Sequence, residues 1–129
     1  MIPLISRIQN KWGYFFRTLM IGHLKEMCES SKVQANINFE KIPLIDNVIS
    51  FAKNDIIPGG TKRNFEYLNQ FIKYSTELPM FKKAIMCDAQ TSGGLLISVP
   101  NEKTDELIVE LKKQKCLTTS IIGNISKKE

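Results

Sequence analysis

Two short stretches of this chain concentrate the groups that can meet an anion or a cation. Cys87-Asp88-Ala89-Gln90-Thr91-Ser92-Gly93-Gly94 places a carboxylate, an amide, two hydroxyls and two glycines directly ahead of the apolar run Leu95 to Val99. Hydroxyls and glycine amides suit phosphate oxygens, and Asp88 suits a divalent cation. Such polar density beside a core strand is satisfied either by a ligand or by its own hydrogen-bond network, in which case it is a turn that organises an interface. The second stretch is Ile57-Pro58-Gly59-Gly60-Thr61-Lys62-Arg63-Asn64. Its glycines permit close backbone approach to an anion, and Lys62 and Arg63 add positive potential at a helix start. The plainer alternative is a tight turn in which Asn64 caps the following helix. The candidate ligand-loop residues are therefore Asp88, Gln90, Thr91, Ser92, Gly93 and Gly94, with Gly59, Gly60, Thr61, Arg63 and Asn64.

Several chemistries are excluded by spacing. The G-x-x-x-x-G-K-[ST] loop of nucleotide-binding proteins is absent, and so is G-x-S-x-G around Ser92. The single histidine, His23, lies beside an apolar helical face, where packing or hydrogen bonding accounts for it better than catalysis. No pair of residues has the spacing of metal ligands. Neither a catalytic residue nor a metal ligand is assigned. The three cysteines, Cys28, Cys87 and Cys116, are far apart and form no C-x-x-C pair. They read as buried free thiols in a reducing compartment, and the expected location is cytoplasmic.

These stretches need elements to hold them. Trp12, Phe15, Phe16, Leu19, Met20, Leu24 and Met27 recur at helical spacing, which predicts an amphipathic helix ending near Ser30. Residues 1–10 show no clear period. Val33, Ala35, Ile37 and Phe39 alternate with polar residues, as a half-buried strand does. Leu44 to Lys53 reads as a short helix with Ile45, Val48, Ile49 and Ala52 inward. A further helix follows Asn64 through Phe65, Leu68, Phe71 and Ile72. A short apolar piece runs from Met80 to Met86, and Leu95 to Val99 reads as a buried strand. Asn101 to Gln114 reads as a helix with Leu107, Ile108 and Leu111 inward, its acids early and its lysines late, in keeping with the helix dipole. Thr119 to Ile125 is a closing strand. The pattern predicts an α/β (α+β layered) domain, a small mixed sheet covered by helices.

The 129 residues suit one domain, with 43% hydrophobic and 24% charged residues, as in globular proteins. No run reaches the length of a membrane span, and no membrane partner is expected. The net charge of +5 is dispersed along the chain rather than interleaved with aromatic residues, so no nucleic-acid partner is expected. The early basic residues with no acid before Glu26 match a mitochondrial presequence in charge but not in serine content.

Gly22-His23-Leu24-Lys25-Glu26-Met27, then Ile57 to Asn64, then Cys87 to Leu96, then Ile122-Gly123-Asn124-Ile125 resemble, in that order, the selenophosphate synthetases (selenide, water dikinases). That family belongs to a larger group resembling aminoimidazole ribonucleotide synthetase. The resemblance covers about residues 20–126. It implies the carboxy-terminal domain of an enzyme that turns ATP, selenide and water into selenophosphate, AMP and phosphate, with magnesium. By the same resemblance the nucleophilic Cys or selenocysteine, its lysine and two metal-binding aspartates lie upstream of the matching residues. The family pattern D-V-T-G-F-G-L-L aligns with Tyr14 to Ile21, so Tyr14 stands where a metal-binding aspartate would be. A phenol does not replace that carboxylate at neutral pH.

Residues 1–19 thus read as a divergent segment, the start of the first helix, and 20–129 as the selenophosphate synthetase-like domain. The expectation is a chain inactive without an amino-terminal half, with ATP and magnesium belonging to full-length relatives. The alternative is a noncatalytic module binding a partner through an exposed interdomain surface. The expected partners are that missing half or a second copy, the latter through the Trp12, Phe15, Phe16, Leu19 stripe.

Overall fold

The computed structural model describes residues 2–8, 18–90 and 94–128, with side chains described over 20–89 and 94–128. The elements are β1 (Ile2–Ile8), β2 (Thr18–Leu19), α1 (Met20–Ser31), β3 (Val33–Ile37), α2 (Val48–Lys53), α3 (Gly59–Leu68), α4 (Met80–Met86), β4 (Ala89–Gln90), β5 (Leu95–Ser98), α5 (Thr104–Lys113) and β6 (Thr118–Lys127). A four-stranded sheet has the order β3-β6-β1-β5, and β2 pairs with β4 in a small second sheet. The layered α/β class is as expected, and the pairings are all antiparallel where a mixed sheet was expected.

Helix α1 packs on β3, α5 on β6, and α2 and α3 both pack against α4. Ile21 and Leu24 of α1, Leu68 of α3, Ile85 and Met86 of α4, Cys87, and Ile122 and Ile125 of β6 close into one core. Leu68 and Ile122 are fully shielded at 0% exposure. Each such side chain contributes about 1.5–3 kcal/mol by leaving water.

Ile122 and Ile125 are three positions apart and both buried, although alternation along a regular strand would turn them to opposite faces. The ladder to β1 explains this. Leu4 pairs with Gly123 and Ile5 with Ile121, so Ile122 has no opposite number there. A bulge of this kind adds one residue and reverses the facing of the residues beyond it. On the other side β6 stays in register with β3, and the Asn38 amide donates to the Ile122 carbonyl at 2.8 Å.

Helix starts depend on prolines. Pro58 and Pro79 hold extended ψ angles of 142° and 155°, and each carbonyl accepts from the amides of the next turn. Pro100 does the same for the single 3-10 turn that leads into α5. Fixed φ makes proline a suitable residue just before a helix, where its missing N–H is no loss.

Several expectations are corrected. The first helix begins at Met20, not Trp12: Leu19 pairs with Ala89 in the small sheet, and residues 12–17 lie outside the described residues. The aperiodic start contains β1, an interior strand of the sheet. The second helix begins at Val48, where the chain turns through a left-handed Asn47, so Ile45 is left 75% exposed and only Ala52 of the inward set is fully buried. Phe71 lies beyond the end of α3 and is exposed. β5 is an edge strand with Leu95 55% exposed, because only β1 flanks it.

Candidate functional site

The two glycine-bearing stretches come together where α3 meets the end of α4. Gly59 and Gly60 form the first turn of α3, one turn ahead of Arg63. Neither has a positive φ, so the turn does not require the conformations reserved to glycine. A β-carbon placed on Gly59 would lie 3.8 Å from Arg63 Nη1, and one on Gly60 3.9 Å from Nη2. The guanidinium therefore folds back over the glycine turn at ordinary contact distance.

Thr61, one residue on, is 2% exposed and donates its hydroxyl to Asp88 Oδ1. Asn64 lies in the middle of α3, not at its start, since Pro58 already begins the helix. It does not cap the helix; its Nδ2 donates instead to the Cys87 carbonyl at 3.3 Å. These two bonds join α3 to the turn after α4, where the Cys87 and Asp88 amides donate to Ala84 and Ile85 at 2.9 and 3.2 Å. Asp88 is held at the point where helix α4 gives way to β4.

Beneath this seam Cys87 is fully buried, and its sulfur lies 3.9 Å from the Tyr74 hydroxyl. Burial pushes the Cys87 thiol up, and the bond to Tyr74 opposes part of that rise. Burial likewise pushes the Tyr74 phenol above its usual range, reinforced by Cys87. Both groups stay neutral near neutral pH. Tyr74 also packs against Phe65 with ring centroids 6.2 Å apart, and Lys83 stands 5.0 Å over its ring. Sequence reading missed Tyr74. It lies in a polar stretch, and only the fold brings it to Cys87.

Of the sequence-predicted residues, Thr61, Asn64 and Asp88 are brought into one hydrogen-bonded unit, with Gly59, Gly60 and Arg63 on its outer end. Gly94 precedes β5 as a half-buried residue. The side chain of Gln90 and residues Thr91, Ser92 and Gly93 lie outside what is described. His23 contacts Glu26 at 3.3 Å on α1.

One oxygen of Asp88 is engaged by Thr61, and no group of three His, Cys, Asp or Glu residues comes together among the described residues. No helix among them is long and apolar enough to cross a membrane.

The chain is similar to proteins named selenide, water dikinase. It is 39% identical over 106 residues to the one from Aliarcobacter butzleri (strain RM4018), covering 82% of this chain and 30% of the relative. To that of Pasteurella multocida (strain Pm70) it is 39% identical over 110 residues, 85% of this chain and 30% of the relative. To that of Sulfurimonas denitrificans (strain ATCC 33889 / DSM 1251) it is 42% identical over 94 residues, 73% and 26% respectively. The chain thus spans about 30% of the length of the relatives it matches. A family model described as "AIR synthase related protein, C-terminal domain" matches residues 20–129, and the chain belongs to that family.

Proposed function

We propose that this chain serves as the carboxy-terminal part of a selenide, water dikinase and does not catalyse by itself. The observation that carries the reading is the seam between α3 and α4. The two motifs that mark the family resemblance, 27 residues apart at Thr61 and Asp88, are one hydrogen-bonded unit. A unit so tied presents Gly59, Gly60, Arg63 and Asp88 together, toward a phosphate-bearing ligand or toward the rest of the enzyme. The reaction itself, ATP with selenide and water giving selenophosphate, AMP and phosphate, belongs to the whole enzyme. By the family resemblance its ATP and magnesium are held mainly by residues upstream of those that match here, consistent with Tyr14 at the position of a family aspartate.

The test is direct. The purified chain, given ATP, magnesium and selenide, is expected to form no selenophosphate detectable by phosphorus NMR above a blank. Formation of selenophosphate with no other protein present overturns the proposal. The proposed partner is an amino-terminal half. Mixing with the amino-terminal part of the Aliarcobacter butzleri relative is expected to give a co-eluting complex in gel filtration, and independent elution counts against it.

A noncatalytic interaction module is the second reading. It is favoured by large apolar side chains left in solvent, among them Ile45, Phe51, Ile56 and Met80. Under that reading a partner would bind, yet no added amino-terminal half would restore chemistry. Self-association through the Trp12, Phe15 and Phe16 stripe is checked by sedimentation: dimers that vanish in Phe16→Glu support it, and a monomer at high concentration excludes it.

A further inference from the structure

The family match begins at residue 20, but the sheet does not. Strand β1, residues Ile2–Ile8, lies between β6 and β5. It pairs with β5 from Leu4↔Ser98 to Arg7↔Leu95, and with β6 from Ile2↔Ile125 to Ile8↔Thr118. Within residues 20–129, β5 and β6 are not neighbours. They face each other across a slot one strand wide, roughly 9–10 Å from strand to strand at ordinary ladder spacing.

A slot of this kind is demanding. Its two walls present rows of backbone N–H and C=O groups that need partners. An unfilled slot would also leave β5 with no strand on either side. What fits is an extended segment running antiparallel to both walls, with β-branched or other apolar residues suited to a sheet. Ile2-Pro3-Leu4-Ile5-Ser6-Arg7-Ile8 has that character. Its proline falls at Pro3↔Asn124, before pairing with β5 begins at Leu4, where β1 has β6 alone beside it. That is where a strand tolerates a residue without an N–H. The bulge opposite Leu4 and Ile5 fixes the register on the β6 side.

We infer that residues 20–129 form a strand acceptor, and that Ile2–Ile8, from outside the family match, is the donor strand that fills it in this chain. The ligand class is an extended apolar peptide recognised mainly through its backbone. The inference does not depend on the dikinase reading.

The experiment keeps the full chain. A protease site is inserted between Ile8 and Thr18, and the folded protein is cut there. The fragment bearing Ile2–Ile8 is expected to stay with the remainder through gel filtration and to exchange with an added isotope-labelled peptide of residues 1–8, but not with a scrambled one. Release of the fragment from a remainder whose β5 and β6 amides keep their hydrogen-exchange protection would overturn the inference, as would equal exchange with the scrambled peptide. A second measurement needs no cleavage. Consecutive residues of a strand direct their N–H groups to opposite neighbours, so Ser6→Pro and Arg7→Pro each remove a bond toward a different wall. One variant is expected to speed exchange mainly in Leu95–Ser98 and the other mainly in Thr118–Gly123, by about tenfold or more, with the β3–β6 ladder spared. Unchanged exchange on both walls overturns the assignment of β1 to the slot.

Discussion

Gly59 and Gly60 stand in the more conspicuous motif, yet nothing in the fold demands glycine at either position. Both lie in the first turn of a helix with ordinary φ, and an added β-carbon would meet only the mobile end of Arg63 at 3.8–3.9 Å. Gly123 sits inconspicuously in the last strand and is the opposite case. A β-carbon there would lie 2.1 Å from the Asn36 carbonyl oxygen and 3.0 Å from the Ile37 Cδ1. The two strands approach so closely at that point that only a hydrogen fits. Glycines that folding requires and glycines that it merely tolerates thus separate by geometry. Any use for the tolerated pair must come from the surface they present.

The largest expected effect that tests this contrast is Gly123→Ala. The methyl group forces β3 away from β6 beside the fully buried Ile122, and a loss of about 3 kcal/mol or more is expected in urea unfolding. A loss below about 1 kcal/mol would show that the close approach is not a requirement of the fold.

Thr61→Val comes next. It keeps the shape of a buried side chain but removes the hydroxyl that donates to Asp88, so about 1–3 kcal/mol should be lost. Thr61→Ser retains the donor and should recover most of the hydrogen-bond contribution. If Val and Ser variants unfold alike, the methyl group rather than the bond to Asp88 holds the seam.

A pH titration of stability probes the buried side of the same seam. Cys87 and Tyr74 are both raised on folding, so their contribution is complete below the unfolded values and is lost as pH rises through the folded ones. Stability should therefore fall above about pH 9, where the unfolded chain begins to ionise these groups. Tyr74→Phe should flatten part of that decline. An unchanged slope would place its origin elsewhere.

The smallest effect belongs to Gly59→Ala and Gly60→Ala. Removing backbone freedom from the unfolded chain at a compatible helical position should leave stability unchanged or raise it by about 0.5–1 kcal/mol. The informative readout is ligand response. Amide shifts on addition of pyrophosphate and magnesium, centred on the glycine turn and residues 88–94, should weaken in these variants if the bare backbone serves a ligand. A marked loss of stability would instead erase the contrast with Gly123.

Local rules made much of the framework legible before any coordinates. The 3.6-residue rhythm of Leu107, Ile108 and Leu111 gave α5, and the alternation from Val33 gave β3. Density of polar groups marks Asp88, the glycine pair ahead of Lys62 and Arg63 marks the stretch that holds Thr61, and the motif order points to the family. Local patterns could not show that Asn64 serves Cys87 rather than its own helix end, because the prolyl carbonyl of Pro58 had already started that helix. Nor could they show that the aperiodic first residues are an interior strand. A strand flanked on both sides needs backbone partners more than a polar–apolar alternation, and those partners, β5 and β6, are about 90 or more residues away in the chain. The bulge that turns Ile122 and Ile125 to the same core exists only as a relation between β6 and β1. Local composition and periodicity settle which segments can be helix or strand and where polar chemistry is concentrated. Which of those groups face each other is a property of the closed fold, because contacts across long separations depend on the whole sheet closing at once.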